Sequence, residues 1–174
     1  MLTTAAIFSD YMVLQRNKRI AVWGSSDAPS VSIRLYGQKQ EVCVEQDVAD
    51  GRWYAELPPQ EAGGPYRLEI TSGKDCITFE EVMIGEVWLA GGQSNMEFEL
   101  QNCKGGGQIV KNATPGSVRF YYTPKVAWLG EELAEAERTS AWELFTPEAC
   151  AKWSAVGYFF AERIAKELGV TVGI

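Results

Sequence analysis

Histidine is absent from this chain of 174 residues. Its absence removes the usual general base of hydrolases, the commonest metal ligand and the usual switch near neutral pH. Any enzymatic reading has to confront that gap. A basic excess is missing too. Sixteen Lys and Arg stand against 23 Asp and Glu, a net charge of −7, which argues against a nucleic-acid or anionic-membrane partner. The longest apolar runs, such as Val82 to Ile84 and Val87 to Ala90, are far shorter than the ~20 residues of a membrane span. Met1 to Asp10 lacks the basic start and apolar core of a secretory leader. The expected location is cytoplasmic as given, or secreted or periplasmic if a leader was removed. The four cysteines, Cys43, Cys76, Cys103 and Cys150, form no Cys-x-x-Cys pair, so neither a metal nor another cofactor is expected. Isolated thiols are the preferred reading over any of three pairings.

What is present is a hydrophobic fraction of 46% beside a charged fraction of 22%, too apolar for disorder. Val31, Ile33 and Leu35 alternate with Ser32, Arg34 and Tyr36, the period of a half-buried strand. Tyr66, Leu68 and Ile70 repeat the pattern. Asp50-Gly51, Pro58-Pro59, Gly63-Gly64-Pro65 and Ser72-Gly73 read as turns between such runs. Residues 1–83 are therefore expected to form an antiparallel β-sandwich, with Trp23 and Trp53 in its core.

The pattern changes near Val82. The nearly continuous apolar run to Ala90 predicts a strand buried on both faces of a parallel sheet, opening an α/β domain over residues 84–174. Ser117 to Tyr122 is a second strand. Thr146-Pro147-Glu148 opens a short helix, and Ser154 caps a longer one that Gly169 ends. Val156, Phe160, Ile164 and Leu168, with Phe159, predict that helix's apolar face. Val170 to Ile174 begins a third strand. Left as an open edge, it offers a site for self-association. Gly105-Gly106-Gly107 marks a loop.

The run to Ala90 feeds Gly91-Gly92 and then Gln93-Ser94-Asn95, which puts Ser94 at the carboxyl edge of the sheet, where α/β sheets bind ligands. There its hydroxyl is a candidate nucleophile and its own N–H a candidate oxyanion donor. On local pattern alone, a serine that caps a helix fits as well. The trailing glycine of a G-x-S-x-G elbow is absent, which argues against an α/β-hydrolase.

The block Gly85-Glu86-Val87-Trp88-Leu89-Ala90-Gly91-Gly92-Gln93-Ser94-Asn95-Met96-Glu97 resembles the nucleophile block of the sialate O-acetylesterase family, within the SGNH or GDSL-like hydrolases. Phe8 to Arg16, Val22-Trp23-Gly24, Asp50 to Trp53, Gly63 to Tyr66 and Trp153 to Phe160 resemble further blocks of that family in the same order. The resemblance implies a serine esterase that removes acetyl groups from sugars, with an O-acetylated carbohydrate as partner and Ser94 as nucleophile. It also implies a glycine N–H in the oxyanion hole. Gly157, in the first turn of a helix, is the candidate, with close helix–sheet packing as the competing reading. The family's oxyanion asparagine and Asp-x-x-His pair lie further toward the C-terminus and have no counterpart here. The chain by itself is therefore expected to be inactive or nearly so. A different class of reading is a non-catalytic carbohydrate-binding or interaction module, with Tyr36, Trp53 and Tyr54 as aromatic platforms or, alternatively, as core.

Overall fold

The computed structural model describes residues 1–37, 41–126 and 130–174. Eight strands come first: β1 (Leu2–Thr4), β2 (Val13–Gln15), β3 (Ile20–Ser26), β4 (Ser30–Tyr36), β5 (Glu41–Asp47), β6 (Arg52–Leu57), β7 (Gly63–Ser72) and β8 (Asp75–Val87). A 3-10 turn (Leu100–Asn102), α1 (Gly106–Lys111), β9 (Val118–Tyr121), α2 (Glu131–Glu137), β10 (Trp142–Leu144), α3 (Pro147–Cys150), α4 (Ala155–Leu168) and β11 (Val172–Gly173) follow. Strands β1, β3 and β6 form a small antiparallel sheet. The larger, mixed sheet runs β10-β9-β11-β8-β7-β4-β5, and β2 also pairs with β8.

Alternation builds the first core. Val31, Ile33 and Leu35 of β4 are buried in one cluster with Ile20 and Val22 of β3 and Trp53, Ala55 and Leu57 of β6. The same period puts Trp23 on the outer face, because its neighbour Val22 takes the inward position. Trp23 is 41% exposed and meets Phe8 in an edge-on contact, with centroids 4.8 Å apart. Its expected place in the core is thus corrected, while Trp53 does lie there. Gly63-Gly64-Pro65 is also not a turn between strands. It forms the irregular start of β7, where the pairing with β8 shifts register.

β8 carries the connection between the two parts of the chain. Its first part pairs antiparallel with β7, Met83 to Gly85 pair parallel with β2, and Glu86 and Val87 pair parallel with β11. The position expected to separate two units, 83/84, therefore falls inside one strand of 13 residues. The strand also ends at Val87 rather than Ala90. Gly85 sits where β8 and β11 press together, and a Cβ there would lie 1.9 Å from the Thr171 carbonyl oxygen.

A second apolar cluster gathers Leu100, Val118, Phe120, Cys150, Trp153, Tyr158, Ala161, Ala165 and Val172. β11 lies between β8 and β9, paired on both sides, so the open third-strand edge expected from the sequence does not exist. α4 buries Ala155, Gly157, Tyr158, Ala161 and Ala165. Of the face expected to be apolar and buried, Val156, Phe159, Phe160 and Leu168 are exposed and Ile164 is half-buried against the second cluster. Most of that periodicity marks the outer face, because at Gly157 the helix lies too close to Phe120 and Ile174 for a larger side chain. Gly105-Gly106-Gly107 leads into α1 rather than forming only a loop. All four cysteines are free, with Cys150 buried.

Candidate active site

The last sheet contact before the serine is the Trp88 N–H, which donates to the Gly173 carbonyl at 2.9 Å. The chain then leaves the sheet and closes one helical turn, in which the Glu97 N–H donates to the Gln93 carbonyl at 3.0 Å. Ser94 lies in that turn and is exposed to solvent. Among the described residues its hydroxyl has no hydrogen-bond partner. The turn does not continue as a helix, so Ser94 caps no described helix.

Three contacts hold the turn. Gly92 lacks the Cβ that would meet the Met96 Cβ at 2.9 Å, so the two ends of the turn close against each other. Met96 Sδ accepts a hydrogen bond from the Ser154 hydroxyl at 3.3 Å. The following segment is laced to the start of α4: Ala155 N–H donates to the Phe98 carbonyl at 2.9 Å, and Leu100 N–H to the Trp153 carbonyl at 2.8 Å. The N-terminus of α4 and the end of β8 thus present Ser94 together.

A hollow of about 350 Å³ lies beside the turn, with Gly91, Gly92, Met96, Tyr122, Lys125 and Ser154 in its wall. At its rim Lys125 Nζ meets Glu97 Oε1 at 2.9 Å and stands over the Tyr122 ring. The hydrogen bond that the Lys125 ammonium donates to Glu97 holds its pKa above the ordinary value. Glu99 accepts from Gln101 Nε2 at 2.7 Å and Asn102 Nδ2 at 3.2 Å. Neither carboxylate is engaged with the serine.

Gly157 takes part in the cap and packing of α4. Its N–H donates to Ser154 Oγ at 3.1 Å, completing the cap of α4. An added Cβ would stand 3.0 Å from the Phe120 ring. Packing and capping both involve this glycine. Met96 and Lys125 were not singled out from the sequence. Met96 lies 58 residues from Ser154, and a thioether partner leaves no pattern in the chain.

The structure superposes over its whole length on the crystal structure of a carbohydrate acetylesterase from Xanthomonas citri, with a TM-score of 0.83 and 33% identity, covering 39% of that chain. Sialate O-acetylesterase of Rattus norvegicus is 28% identical over 143 residues, which is 76% of this chain and 26% of the relative. The Homo sapiens enzyme is 30% identical over 127 residues, 67% of this chain and 24% of the relative. The chain is a homologue of the sialate O-acetylesterases. No family model matches it. The chain spans about a quarter of the length of the curated relatives it matches.

Proposed function

We propose that the chain carries the nucleophile portion of a carbohydrate O-acetylesterase, with Ser94 as the attacking residue. The observation that supports this most is the exposed Ser94 on a braced turn beyond the end of β8, in a chain 33% identical to a carbohydrate acetylesterase. In this reading the small sheet and the antiparallel part of the large one form a β-sandwich through about residue 83. The remainder is then the opening part of an SGNH-like α/β domain.

The chemistry would be acyl transfer. Ser94 Oγ attacks the acetyl carbonyl carbon, and the carbonyl oxygen becomes an oxyanion toward which the Ser94 N–H can point. Collapse expels the sugar hydroxyl and leaves an acetyl-serine, which water hydrolyses. Each step needs a group to take and return the proton. The chain has no histidine, Glu97 is held by Lys125, and Glu99 is held by Gln101 and Asn102. In this reading the serine has no activating base among the described residues.

The test is hydrolysis of an aryl acetate and an O-acetylated sugar by this chain and by its Ser94→Ala variant. The expected result is turnover at or near background for both. Loss of the triad elsewhere leaves only about 10³–10⁴-fold acceleration over water, from oxyanion hole and binding. Robust turnover that survives Ser94→Ala would overturn the nucleophile assignment. Robust turnover abolished by it would keep the nucleophile and reveal an unrecognised base.

A further inference from the structure

Two large aromatic side chains stand side by side on the outer face of the small sheet. Trp23 of β3 is the direct cross-strand partner of Tyr54 of β6, and the two are 41% and 54% exposed. Alternation explains why these positions face outward, since Val22, Trp53 and Ala55 take the inward ones. It does not explain why they are aromatic. Their neighbours on β3, Ala21 and Ser25, are small, while Trp23 also makes an edge contact with Phe8. Directly opposed residues place their Cβ atoms about 4.5–5.5 Å apart, so the two side chains leave the sheet next to each other.

Polar groups border that surface at both ends. On one side Ser25 Oγ and Thr3 Oγ1 lie 2.6 Å apart. On the other, Glu56 accepts from the Tyr54 hydroxyl at 3.3 Å and pairs with Arg19 Nη1 at 3.3 Å. Beside Trp23 opens a hollow of about 270 Å³, walled by Phe8, Trp142 and Val87 with Gln15 and Arg19 among its polar groups.

We infer that Trp23 and Tyr54 form a second carbohydrate-binding surface, for uncharged pyranose chains, apart from the Ser94 turn. The C–H bonds on one face of a pyranose ring are weakly positive and suit the negative face of an aromatic ring. Its equatorial hydroxyls project sideways, where Glu56, Arg19, Ser25 and Thr3 can meet them. The Arg19–Glu56 pair is internally neutralised and the chain carries −7 overall, so an uncharged sugar fits better than a polyanionic one. The ligand class rests on the carbohydrate reading above. The surface itself does not depend on Ser94 being a nucleophile. Of the three aromatics considered from sequence, Trp53 is buried and Tyr36 lies under the Arg67 guanidinium at 4.6 Å, which leaves Tyr54.

The experiment titrates the ¹⁵N-labelled Ser94→Ala chain with xylohexaose and, separately, cellohexaose, following backbone and indole N–H resonances. Saturable shifts at Trp23 and Tyr54 are expected with at least one probe. Trp23→Ala and Tyr54→Ala should each weaken binding at least about tenfold, while Trp23→Phe retains it. Both side chains are exposed, and an unchanged thermal midpoint verifies that the variants fold. No saturable shift with either probe overturns the inference, as do shifts confined to residues 91–97. A self-association abolished by Trp23→Ala without any sugar response also overturns it and makes the pair a protein interface. None of these outcomes alters the Ser94 assignment, which is read from acetyl-ester turnover alone.

Discussion

Arg119 shows how much one side chain can carry. It is buried on β9, and its Nη1 donates to the backbone carbonyls of Tyr11 and Glu81. Both of those residues have left-handed backbones, with φ of 66° and 55°, which non-glycine residues adopt at a cost. The guanidinium thus braces two unfavourable turns of the first core from a strand of the second. Burial holds its pKa below the ordinary arginine value, and its Nε is buried without a partner among the described residues. Arg119→Ala leaves two carbonyls short of their donor and should cost about 2–4 kcal/mol in urea denaturation. Arg119→Lys should cost less, because an ammonium can reach one of the two. A loss below about 0.5 kcal/mol for the alanine variant would place the bracing elsewhere. None of this was legible from the sequence, where Arg119 is one charge in a short apolar run. Its partners lie 108 and 38 residues away.

At the scale of elements, α4 separates two properties that a helical wheel merges. Most of its large apolar residues recur on the outer face, while its small residues together with Tyr158 take the interior. Close approach to β9 and β11 gains more contact than a few long side chains would, because packed interiors leave no room for a spacer. Gly157→Ala should therefore destabilise by about 1–3 kcal/mol, despite alanine's better helix propensity of about 1 kcal/mol, since its Cβ meets Phe120 at 3.0 Å. Leu168→Gln, on the exposed face, should change stability by no more than about 0.5 kcal/mol. Comparable thermal denaturation of both variants decides the matter, and a reversed order would return the large residues to the core.

The packing of α3 carries a pH dependence. Cys150 is buried, and burial raises its thiol above the ordinary value of 9.0. The unfolded chain then loses this proton at lower pH than the folded chain. The stabilisation from keeping the thiol neutral is complete below the unfolded pKa and fades as pH rises through the folded one. Denaturation midpoints should fall above pH 9.0, and Cys150→Ala should flatten that fall relative to its own value at pH 7. An unchanged slope would assign the alkaline loss to other groups, with Tyr158, which burial also raises, the first to test.

For the molecule as a whole, β8 makes the two cores interdependent. Its early residues belong to the first sheet region and Glu86 and Val87 to the parallel one, so neither can melt without exposing the other's strand. One cooperative unfolding transition is expected for the whole chain. Gly85→Ala should lower its midpoint sharply, by about 3–5 kcal/mol of stability, because the Cβ collides with the Thr171 carbonyl. Two separated transitions in the parent chain would mean that the cores fold independently. Residues set by local rules were legible beforehand: the alternating strands β4 and β7, the Thr146 and Ser154 caps, the Gly169 stop, and an exposed serine after a Gly-Gly pair.

The sequence by itself determined the strand periods, the helix ends and the missing histidine, since each depends only on neighbours in the chain or on composition. Its ordered blocks also carried the acetylesterase resemblance, because a nucleophile turn is a contiguous stretch. Tertiary structure decided which apolar face of α4 goes inside, that Trp23 stays outside, that β11 is a central strand, and that the Gly157 N–H belongs to a cap. Each of those outcomes depends on a partner far along the chain, and a distant partner imposes no spacing on the residues it selects.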